Sequence, residues 1–85
     1  MHDSRQPVVY PNPNNRSFTI DLNFDPEEKV SISLIDLTGR IIYNSFQSIK
    51  IKSYSFDNRA PGAYLCRIEQ NNIILSQDRL IIQKQ

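Results

Sequence analysis

Few residues of this chain carry side chains able to act on a substrate. The single histidine, His2, lies in a polar leader, Met1-His2-Asp3-Ser4-Arg5-Gln6, with no fixed partner for acid–base work. The single cysteine, Cys66, excludes an internal disulfide and a multi-cysteine metal site. It lies mid-strand on the same face as Tyr64 and Ile68, where a buried thiol is inert for want of a base or positive field. The carboxylates are scattered and stand mostly at turns: Asp25, Asp36 and Asp57. None has the neighbours expected of a general acid and base, and Asp36 reads as a turn residue that bonds nearby backbone. Asp21 with Asp25 or Glu27 offers oxygen ligands for calcium, but the EF-hand spacing is absent. Two glycines in 85 residues build no phosphate-cradling loop. The expectation is a non-enzymatic chain without a cofactor or metal.

Charge narrows the partners. Ten Lys and Arg face nine Asp and Glu, giving a net charge of +1. Their signs alternate along the chain, so no basic surface forms for nucleic acid or an anionic membrane. No apolar run approaches the roughly 20 residues of a membrane helix. The polar leader is not a signal peptide, so a secretory signal, if there is one, stands upstream. Eighty-five residues make one domain, burying roughly 60–65% of the unfolded surface.

The elements that position any site are strands. Phe18, Ile20, Leu22 and Phe24 alternate with Thr19, Asp21 and Asn23; Val30, Ile32 and Leu34 alternate with serines. Period two gives each strand one buried and one wet face. Asp25-Pro26-Glu27-Glu28 reads as a loop or single turn. Asp36-Leu37-Thr38-Gly39 separates the strand Val30–Ile35 from Arg40–Asn44, with Gly39 free to take positive φ. Ile49 and Ile51 share a parity that Tyr54 and Phe56 do not, which predicts a β-bulge near Ser53. Pro61-Gly62 fits the centre of a type II turn, and Asn71-Asn72 a tight hairpin. Strands at Tyr64–Ile68, Ile73–Leu75 and Leu80–Ile82 follow. Six or seven short strands with turns every 8–12 residues predict an all-β, mainly antiparallel sandwich.

Three segments then match one family in order. Tyr10-Pro11-Asn12-Pro13 followed by Phe18 resembles the opening of the type A C-terminal sorting domain of the type IX secretion system. Ile35-Asp36-Leu37-Thr38-Gly39-Arg40-Ile41-Ile42 resembles that family's central hydrophobic–Asp–x–x–Gly–basic–hydrophobic turn. Pro61-Gly62-Ala63-Tyr64-Leu65-Cys66-Arg67-Ile68 resembles its Gly-x-Tyr strand, and a basic-hydrophobic tail, Arg79 to Gln85, ends the chain. There are departures: the family usually has Gly three residues after Pro-Asn-Pro, where this chain has Arg16, and Gly in the last hairpin, where it has Asn71-Asn72.

The resemblance implies an immunoglobulin-like antiparallel β-sandwich of about seven short strands over residues 8–85. Residues 1–7 are then a flexible linker or an expression remnant. It implies a cargo domain upstream, from a Bacteroidota-type bacterium, exported through the periplasm and across the outer membrane. The implied partners are the outer-membrane translocon and a sortase-like cysteine peptidase, which cuts in or before the segment ending near Pro7 and attaches the cargo to the cell surface. The implied sorting residues are Tyr10, Pro11, Asn12, Pro13, Phe18, Asp36, Gly39, Arg40, Gly62, Tyr64, Arg79 and Lys84, with export information concentrated from Gly62 to Lys84. The last strand is expected to offer a sheet edge to the translocon, or to a second copy in an edge-strand dimer. Two alternatives share these features: an immunoglobulin-like or fibronectin-like adhesion module, and a fragment of an enzyme whose active site lies upstream.

Overall fold

The structure is a computed structural model describing residues 6–56 and 59–83. Among the described residues there are seven strands and no helix: β1 (Val8–Tyr10), β2 (Ser17–Asp21), β3 (Val30–Ile35), β4 (Ile41–Gln47), β5 (Ile51–Ser55), β6 (Gly62–Gln70) and β7 (Ile73–Ile82). They form two sheets, ordered β1-β2-β5 and β4-β3-β6-β7, with every strand pair antiparallel. In the constant-type immunoglobulin arrangement the fourth strand sits with the first, second and fifth; here it has moved to the opposite sheet.

The alternation seen in the sequence builds the core. Phe18 and Ile20 of β2, Val30, Ile32 and Leu34 of β3, Tyr64, Cys66 and Ile68 of β6, and Leu80 and Ile82 of β7 turn inward and are buried. Tyr54 and Phe56 stack on Phe18 with ring centroids 5.5 and 5.4 Å away, and Tyr43 meets Phe56 edge-on at 4.7 Å. Such pairs add to area burial because ring edges and faces carry opposite partial charge.

One polar side chain lies fully inside. Gln47, the last residue of β4, is paired with Val30 on the inward face and has no exposed surface. Its Nε2 donates to the carbonyls of Ile20 (3.1 Å), Ile49 (3.0 Å) and Lys50 (3.2 Å), and its Oε1 accepts from the Tyr54 hydroxyl at 2.7 Å. Both ends of the amide are satisfied, so its burial stabilises. Ile20 belongs to one sheet and Gln47 to the other, and the amide ties them where the chain crosses.

The turns follow their chemistry. In the β3–β4 hairpin, Asp36 Oδ1 accepts from Thr38 N (2.9 Å), Thr38 Oγ1 (2.6 Å) and Arg40 N (3.0 Å), and Gly39 takes φ +90°. The Thr38 hydroxyl first, then the Arg40 amide, hold the Asp36 carboxyl below its ordinary value. At the β6–β7 hairpin Asn71 and Asn72 take φ +54° and +65°, the pair of positive values a type I′ turn requires.

Four details depart from the sequence reading. The run from Phe18 stops as a strand at Asp21, because Asn23 takes φ +65° and its amide closes on Asp21 Oδ1 at 2.8 Å. That contact makes Asp21 a turn residue. No bulge interrupts β5: it pairs with β2 in unbroken register from Ser55 to Ile51. Lys52 takes the inward position with its ammonium over the Tyr54 ring (5.4 Å), leaving Ile49 and Ile51 on the wet face. The bulges fall at Leu34/Ile35 and Ile68/Glu69 instead. Ile73–Leu75 and Leu80–Ile82 are one ten-residue strand. Gly62 opens β6 paired with Ile82 at φ +149°, away from the roughly +80° of a type II turn.

Three stability tests arise. Gln47→Leu removes three bonds to main-chain carbonyls, leaves the Tyr54 hydroxyl without its acceptor and costs about 3 kcal/mol in denaturant unfolding. Arg16 occupies φ +73°, a conformation glycine adopts freely, so Arg16→Gly is more stable than Arg16→Ala by about 1 kcal/mol. Both variants lose the guanidinium, so only backbone preference separates them. Asp36 has a lowered folded pKa, so its contribution is present above the ordinary value of 3.8 and lost as pH falls through the folded one. Urea unfolding between pH 5 and 2 should therefore cost the wild type more than Asp36→Asn.

Candidate functional site

The predicted sorting residues can be followed from the lead-in before β2. Pro11 and Pro13 have no amide hydrogen, so the main chain on either side of Asn12 offers no donor there. Both prolyl bonds are cis. The Asn12 side chain reaches β7, 67 and 69 residues away. Its Oδ1 accepts from Ile81 N at 2.9 Å, and its Nδ2 donates to Arg79 O at 2.6 Å. The main chain of Asn14 continues the contact: its N–H donates to Ile81 O (2.9 Å) and its carbonyl accepts from Gln83 N (2.7 Å). This forms an isolated parallel bridge between Asn14 and Ile82. Asn14 is buried, and its Oδ1 accepts from Arg16 N at 2.9 Å, which turns the chain into β2.

β7 is the edge strand beside β6, so its outer side has no neighbouring strand. The expectation of an open edge at the end of the chain needs correcting. The Arg79 carbonyl, both main-chain groups of Ile81 and the Gln83 amide are engaged by Asn12 and Asn14. Further back, Asp78 lies on the inward parity and the bulge distorts the strand near Ile74, two devices that discourage strand addition.

The other predicted residues gather around this end to different degrees. Gly62 pairs with Ile82, which the Asn14 bridge holds from the far side. Two residues on, Tyr64 is buried and its hydroxyl donates to Ala60 O at 2.5 Å. A tyrosine near the start of the sixth strand, bonded back to upstream backbone, is the corner brace of many immunoglobulin-like sandwiches. Arg79 is exposed on the outer face, in register with Leu65, Ile35 and Ile41. With strands about 4.8 Å apart, Ile35 stands roughly 10 Å from Arg79. The Asp36 turn, with Gly39 and the exposed Arg40, projects just past Ile35. Arg40 and Arg79 thus bracket an apolar row on one end of the four-stranded sheet. Phe18 belongs to the core, Tyr10 ends β1 half exposed, and Lys84 lies outside the described residues, as does His2.

Sequence reasoning missed three residues that join distant parts: Gln47, Asn12 as a reaching side chain, and Asn14. Glutamine after an aromatic carries no mark of burial. The prolines around Asn12, which deny main-chain donors, were the available signal for a side-chain contact.

Burial first, and the nearby Asp78 carboxylate second, push the Cys66 thiol up to about 12, so it carries no thiolate at neutral pH. Burial likewise raises the Tyr54 phenol. Among the described residues no three His, Cys, Asp or Glu side chains are grouped to hold a metal ion.

Comparison with known proteins places this arrangement. No curated protein matches the chain. The family model described as the secretion system C-terminal sorting domain matches residues 8–83, from the first residue of β1 to just past β7. The matched span takes in the proline-flanked Asn12, the Asp36 turn, the Gly62–Tyr64 strand and Arg79. The chain therefore belongs to the C-terminal sorting domains of type IX secretion.

Proposed function

We propose that this domain acts as a non-catalytic address, read by the outer-membrane translocon on a cargo that precedes it in the polypeptide. A sortase-like cysteine peptidase then cuts upstream of β1, and the cargo is attached to the cell surface after passing through the periplasm. The observation that carries the reading is the meeting of the lead-in, Gly62 and Arg79 at one end of the sandwich, in a chain of the sorting family. A signal shared by unrelated cargoes has to be an autonomous fold with a constant surface, and this end supplies one. The adhesion-module alternative predicts the same sandwich; membership of the sorting family separates the two.

Arg79 and Arg40 are the groups on this surface best placed to meet an acidic partner, being exposed and making no core contact. Removing the whole tail from Arg79 is a poor test, because Leu80 and Ile82 are fully buried and the sandwich would fail with them. Arg79→Glu spares the core. The expected outcome is a cargo retained in the cell at least several-fold more than wild type, with unchanged thermal unfolding. Normal export of that variant contradicts a role for Arg79.

A further inference from the structure

The Asn12 contact raises a question of sheet chemistry. An edge strand presents N–H and C=O groups that pair with any extended chain that reaches them. A strand laid against β7 would satisfy those groups but present a new edge of its own. The segment Pro11-Asn12-Pro13 satisfies them differently. One side-chain amide serves both Ile81 N and Arg79 O, at 2.9 and 2.6 Å. The prolines on either side have no N–H to offer outward. The Asn14 main chain completes the pairing at Ile81 O and Gln83 N.

We propose that Pro11-Asn12-Pro13 is a terminator for the β7 edge, with Asn12 as the positioning residue that holds Arg79–Ile82 extended and closed to further strands. Asparagine suits the place because its short amide carries a donor and an acceptor in one plane, as a peptide group does. An aspartate loses the donor, and an alanine loses both. The terminator also makes the lead-in and the last strand one unit. In export, this rests on the sorting role proposed above: the basic face at Arg79 is presented only while Asn12 is seated.

Amide exchange on the 85-residue chain reads the cap directly. Asn12→Ala speeds exchange at Ile81 about tenfold over wild type, while core amides such as Ile32 and Ile68 keep their protection. Asn12→Asp keeps the acceptor for Ile81 N, so its Ile81 exchange lies between the two. Sedimentation shows Asn12→Ala self-associating at concentrations where wild type and the control Asn15→Ala are monomeric. Wild-type exchange at Ile81 in both Asn12 variants overturns the terminator, as does a monomeric Asn12→Ala whose Ile81 amide has opened. With a cargo attached, Asn12→Ala is exported several-fold less than Asn15→Ala. Equal export of these two overturns the link to presentation. A wild-type chain that exports nothing overturns the sorting role itself, while the exchange result stands on its own.

Discussion

The constraint that organises this domain is the unpaired side of its last strand. A small antiparallel sandwich has four edges, and each exposes a row of peptide groups with no partner in their own sheet. β7 is the longest strand and the most demanding of the four. Its closure draws the start of the domain to its end: Asn12 and Asn14 reach across nearly the whole chain to bond Arg79, Ile81 and Gln83. The lead-in to β2 is bound into that closure through Asn14.

A second polar tie holds the opposite side. Gln47 leaves the four-stranded sheet at the end of β4 and bonds the carbonyl of Ile20 in the other sheet. It also gathers the connection to β5 and the Tyr54 hydroxyl. A domain this small has a thin core, and its apolar contacts alone fix the relative slide of two sheets poorly. Directional bonds at both margins, with the Tyr64 corner at the β7 end, set one arrangement. Surface ion pairs contribute little by comparison; Arg40, 3.8 Å from Asp36, is well exposed.

Local features were legible in the sequence and non-local ones were not. Alternation marked β2, β3 and β6, because each has one face in the core. Turn chemistry marked the Asp36 hairpin and Asn71-Asn72, since the residues that shape a turn lie within it. Legibility ends where burial and polarity part company. Ile49 and Ile51 sit outside while Lys52 points inward, so parity wrongly required a bulge. The polar run Ser76–Arg79 seemed to break the last strand, although an edge strand tolerates polar residues on both faces. Val8–Tyr10 was too short to stand out, and its pairing with β2 depends on the reversal at Pro11–Arg16. The site was half visible: its motifs could be named from sequence, but the bond between the first and last of them joins residues 69 apart.

Family membership makes this domain a sorting signal of type IX secretion, and its lead-in, Gly62 and Arg79 meet at one end of the sandwich. The most direct measurement is to fuse residues 1–85 behind an inert reporter carrying its own inner-membrane signal, in a cell with the type IX machinery. Reporter found outside the outer membrane, and absent there when the 85 residues are omitted, is the predicted result. Reporter held in the periplasm with the domain folded and attached would contradict the account.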